Sequence, residues 1–84
     1  MELKEIKSKA KTLSVTCWIG KHGLTQAAIN EIRRMLKKKK LIKIKLLKSF
    51  LEGKDRKKAA AEIAEKTESK LVQAIGNVVV LWKR

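Results

Sequence analysis

The spacing of apolar residues changes period across a four-residue loop, and that change constrains the fold more than any other feature of the chain. Leu13, Val15, Cys17 and Ile19 alternate with Ser14, Thr16 and Trp18, the period of a strand that should end at Gly20. Beyond Gly23, Thr25 is a good N-cap, and Ala28, Ile29, Ile32, Met35 and Leu36 recur at the spacing of one helical face. That helix should run to about Lys39. Ile42, Ile44 and Leu46 then alternate with Lys43 and Lys45, which predicts a second strand.

The remaining elements follow by the same reasoning. Leu3, Ile6 and Ala10 predict a short helix over roughly residues 2–11. A loop with Glu52, Gly53 and Lys54 leads to an Ala-rich helix, with Ile63 in its apolar stripe, spanning about residues 55–67. Leu71 to Ile75 and Val78 to Trp82 flank Gly76-Asn77, the signature of a tight hairpin. The order α-β-α-β-α-β-β describes a two-layer α/β sandwich. Its four-stranded sheet is mixed, because the hairpin prevents it from being purely parallel. The chain has no Pro, no Ser/Gly-rich stretch and no internal repeat, so one domain is expected over residues 1–84.

Charge says what such a body would meet. The chain carries 22 Lys and Arg against 8 Asp and Glu, a formal net charge of +14. Like charges on a compact body repel each other, so the imbalance makes sense where a polyanion supplies the missing negative charge. Nucleic acid, an anionic membrane and an acidic protein are the candidates. Between Ile6 and Leu51 thirteen basic residues stand against one acid, Glu31, whereas from Glu52 onward eight are offset by five.

Several classes drop out. No apolar run nears the roughly 18 residues of a membrane span, and Met1 to Lys7 has no apolar stretch of the kind a secretory signal uses; a cytoplasmic setting is expected. Cys17 is the single cysteine and His22 the single histidine, which excludes an internal disulfide framework, a cysteine-based zinc cluster and a two-histidine metal motif. No paired carboxylates or nucleophile–base pair stand out, so no catalysis, cofactor, metal or small-molecule substrate is expected. Binding flat on a membrane would need the apolar stripe of the second helix, which the core requires.

Gly20-Lys21-His22-Gly23 is the most informative segment. Its glycines allow a tight turn and close approach by a ligand, and the following helix offers unpaired N–H groups and a positive dipole end to an anion. At about 100° per residue, Gln26, Asn30, Arg33, Arg34 and Lys37 fall on one side of that helix, with Glu31 well round from them and Lys38, Lys39 and Lys40 extending the strip. The third helix differs, since Glu62 with Lys66 and Lys58 with Glu62 mix both signs at i, i+4. The third helix reads as a solvated surface, and the second as a binding surface.

Ile19-Gly20-Lys21-His22-Gly23-Leu24-Thr25, followed by Leu41-Ile42-Lys43-Ile44-Lys45 and by Ile75-Gly76-Asn77-Val78-Val79-Val80-Leu81-Trp82-Lys83-Arg84, resembles the CRM domain family in its stand-alone, YhbY-like form. The resemblance implies a fold similar to the C-terminal domain of a bacterial translation initiation factor. It also implies that the glycine loop contacts RNA as the loop of KH domains does, and that the role is in large-subunit ribosome assembly.

The expected RNA-binding residues are therefore Gly20, Lys21, His22, Gly23, Thr25, Gln26, Asn30, Arg33, Arg34, Lys37, Lys43 and Lys45. Lys43 and Lys45 carry an equal alternative, protection of a strand edge. Cys17 shares parity with Val15 and Ile19 and reads as a small core residue; Trp82 shares parity with Val78 and Val80 and reads as packing. Trp18 points to the opposite face, where a partly covered apolar surface is expected in preference to a stacking platform. Aromatics make up only 4% of the chain, which favours binding to the RNA backbone over stacking of bases across a sheet. Composition leaves a DNA-coating, chromatin-like protein as the alternative. Oligomeric state is open, with a monomer favoured.

Overall fold

The computed structural model describes residues 3–83. Helix α1 (Leu3–Thr12) precedes strand β1 (Cys17–Ile19), helix α2 (Gln26–Lys39) and strand β2 (Leu41–Leu46). A single turn, α3 (Lys48–Leu51), helix α4 (Arg56–Lys66) and the hairpin of β3 (Lys70–Ile75) and β4 (Val78–Trp82) complete the chain. The expected start of the first helix at residue 2, and the Leu3 side chain, lie outside the described residues. The sheet order is β1-β2-β4-β3. β1 pairs with β2 in parallel, while β2–β4 and β4–β3 are antiparallel, so the sheet is mixed, as the hairpin requires.

Local chemistry accounts for the boundaries. The Thr25 hydroxyl accepts from the Ala28 N–H (3.1 Å) and starts α2. Asp55 caps α4 in the same way, accepting from the N–H groups of Lys57 and Lys58. α2 stops at Lys40, whose φ of 68° and N–H bond to the Leu36 carbonyl turn the chain directly into β2. Only Gly76 of the hairpin pair has positive φ (60°), which makes this a type II′ turn suited to the twist of the strands.

Two apolar clusters lie on the two faces of the sheet. The larger unites Ile32 and Leu36 of α2 and Ala60 and Ile63 of α4 with Ile42, Ile44, Val79 and Leu81 of the sheet, all but fully buried. This is the sandwich the periodicity predicts. The smaller lies on the opposite face, where Ile6 and Ala10 of α1 meet Val72 and Val80, flanked by Leu41 and Trp82. Trp82 thus packs, as its parity implies. A bulge between Leu71 and Gln73 shifts the β3–β4 register and lets Val72 join the α1 side.

Two elements differ from expectation. β1 begins at Cys17, not near Leu13, yet the preceding segment still runs beside β2: the Thr16 N–H donates to the Lys43 carbonyl (2.8 Å) and the Lys43 ammonium donates to the Leu13 carbonyl (3.1 Å). α3 was not expected. Its cause is Phe50, which is 7% exposed and turns into the main core, closing bonds from the Phe50 and Leu51 N–H groups to the Leu47 carbonyl.

Candidate nucleic-acid interface

The glycine loop is a closed turn: the Gly23 N–H donates to the Gly20 carbonyl at 2.8 Å. Each glycine has a local reason. Gly23 has a φ of 70°, and a Cβ on Gly20 would lie 3.1 Å from the Leu47 side chain, so a larger residue would push the turn off the segment before α3. Lys21 and His22 are exposed at its tip. Behind it α2 has no acid in its first turn, so nothing on the helix neutralises its positive end. The Thr25 hydroxyl is occupied by the cap. The Gln26 amide donates to the Asn30 side chain at 3.0 Å, and both residues remain exposed.

Farther along α2 the structure corrects the expected strip. Arg34 is not free of acid: its guanidinium grips both carboxylate oxygens of Glu31, at 2.8 and 2.7 Å. Arg33 lies nearer the core side and reaches Glu68 at 3.4 Å. Among the described residues, Lys37, unlike Arg33 and Arg34, has no acid within ion-pair distance. It sits roughly 16 Å along the helix axis from Gln26, at 1.5 Å per residue. Lys38 and Lys39 lie in the last turn, where cations complement the negative end of the dipole, a structural reason for much of the lysine run. In α4, Glu62 pairs with Lys66 (3.1 Å); the expected second pair, to Lys58, is not formed.

Lys43 and Lys45 belong to another surface. Ile42 and Ile44 face α2 and α4, so the intervening lysines point to the side where α1 lies. Lys43 is half-buried and tied to Leu13, whereas Lys45 is exposed. Cys17 packs against the main core with its Sγ 3.9 Å from the Met35 Sδ. Burial, and then the Glu31 carboxylate, push its thiol above the usual range, so it stays neutral.

In place of the far strip, the structure brings a different basic set to the glycine turn. The Ser49 hydroxyl oxygen is 3.8 Å from where a Gly20 Cβ would stand, and Ser49 lines a groove of about 690 Å³ together with Lys48, Lys54, Arg56, Glu52 and Asn77. The hairpin turn closes it, because the Leu46 N–H donates to the Asn77 carbonyl (2.7 Å). Lys54 is braced over the Phe50 ring at 5.1 Å. Sequence reasoning missed Lys48, Lys54 and Arg56. Their one signal was a cluster of cations around Gly53.

A family model for the CRS1 / YhbY (CRM) domain matches residues 1–83. The chain belongs to the CRM family. This CRM domain is 35% identical over 78 residues to YqeI of Bacillus subtilis, covering 93% of the chain and 79% of that protein. It is 32% identical to MJ0652 of Methanocaldococcus jannaschii over 93% of the chain, and spans 58% of that protein's length. PA4753 of Pseudomonas aeruginosa is 31% identical over 96% of the chain and 76% of its own length. All three bear the name probable RNA-binding protein. In structure, the CRM domain superposes on SAV1595 of Staphylococcus aureus with a TM-score of 0.79 and 30% identity, over 98% of this chain and 83% of that one.

Proposed function

We propose that the protein is a non-catalytic RNA-binding module that holds structured ribosomal RNA during large-subunit assembly in the cytoplasm. The observation that carries this reading is the meeting of the glycine turn, the acid-free start of α2 and the Lys48–Lys54–Arg56 groove at one end of the sheet. The turn offers Lys21 and His22, the helix offers backbone N–H groups of its first turn, and the groove offers ammonium and guanidinium donors. Together they fit consecutive phosphates of a folded backbone. Relatives named for RNA binding favour RNA over DNA as the partner.

The test is Lys21→Asp combined with His22→Asp. Both side chains are exposed, so the fold should survive with stability within about 0.5 kcal/mol of the parent. Affinity for a ribosomal RNA fragment should collapse, because the turn keeps its glycines and reverses its charge. A folded variant that binds like the parent would reduce the turn to a connection between β1 and α2. Crosslinking in cells, with sedimentation of the protein among ribosomal precursors, would identify the RNA; recovery of DNA alone would replace this reading with the DNA-coating one.

A further inference from the structure

α1 covers only half of its sheet face. It closes over Val72, Val80, Leu41 and Trp82 and leaves the half nearest the glycine turn open. Residues paired across a ladder share a face. Trp18 pairs with Lys45, Lys45 with Val78 and Val78 with Ile75, so these four make one row straight across the sheet. Trp18 is 59% exposed and Ile75 67%; Lys45 is exposed between them. The partly covered apolar face expected on this side is present under α1, and Trp18 lies in its uncovered half. An indole stands in solvent on a strand, two residues before Gly20.

We propose that this row takes an unpaired RNA base, stacked on the Trp18 indole, with the Lys45 ammonium meeting the adjoining phosphate. The inference rests on the RNA-binding reading above and adds a second kind of contact to it. Charge selects the occupant. The four strands contain lysines and no acid, and a single-stranded nucleic acid brings both the flat apolar face and the negative backbone that such a row complements. A nucleotide whose phosphate rests on the glycine turn has its neighbour within reach of Trp18, since both sit at the same end of β1.

Trp18→Ala should weaken binding of an unpaired oligoribonucleotide by roughly five- to 150-fold, the span of base-on-aromatic stacking. The same oligomer made abasic should bind parent and variant alike, and the salt dependence should keep its slope, because no phosphate contact is lost. Trp18→Phe should retain most of the affinity. Parent fluorescence should be quenched by the oligomer and not by its abasic form, and the Trp18→Phe variant, which keeps half-buried Trp82, should show little quenching. Unchanged affinity of a folded Trp18→Ala variant, or an equal loss on the abasic strand, would overturn the proposal while leaving the phosphate-binding end intact. Concentration-dependent self-association abolished by Trp18→Ala would also overturn it, assigning the row to protein contact. Failure of the parent to bind any RNA would instead strike the functional reading itself.

Discussion

Arg34 and Lys37 lie on the same exposed side of α2, yet only one has its charge available. The Arg34 guanidinium is held by two hydrogen bonds to Glu31, and RNA would have to displace that carboxylate before using it. Glu31→Gln should release it. An exposed pair of this kind is worth about 0.2–1 kcal/mol, so melting should barely move. RNA affinity should rise, and the plot of log K against log salt should steepen by roughly 0.7–0.9 for one added phosphate contact. An unchanged slope would show that Arg34 lies off the RNA path. Helical spacing grouped both arginines on one side of the helix; it could not show that Arg34 reaches back one turn to Glu31 or that Glu68 approaches Arg33 from the end of α4.

At the level of elements, the Gly76-Asn77 turn located the β3–β4 hairpin, and apolar spacing located α1, β1, α2, β2 and α4, each of which buries one face in the core. Spacing missed α3, since four residues complete scarcely more than one turn and leave no repeat to detect. The same blind spot hid the Lys48–Lys54–Arg56 groove, whose cations are gathered only once Phe50 has folded inward. Spacing placed Trp18 on the partly covered face but not in the open half, because alternation assigns a side chain to a face and says nothing of how far the covering helix extends. Lys48→Ala with Arg56→Ala should therefore weaken RNA binding far more than Lys58→Ala with Lys66→Ala on α4, measured on variants with matched melting temperatures. Equal losses from both pairs would mean that charge acts diffusely and that the groove has no special part. Lys54 is a poorer probe, because removing it also takes a cation from the Phe50 ring, about 0.5–1 kcal/mol at an exposed site.

For the molecule as a whole, a net charge of +14 makes association with a polyanion steeply dependent on salt. Contact with about five phosphates gives a slope of log K on log salt of roughly −3.5 to −4.5; a titration giving a slope near zero would remove the electrostatic basis of the interface. The same charge spreads over a small sheet with two open edges and an uncovered apolar row, a combination that invites copies of the chain to add strands to one another. The bulge at Val72 bears on this hazard. By breaking the ladder in the middle of β3, it leaves that edge without a long straight run of free amides and carbonyls, and β1 at the other edge is only three residues long. Neither border offers a long template for growth, so the exposed indole of Trp18 and the Ile75 side chain stand in water without a straight strand edge beside them from which a fibril could start.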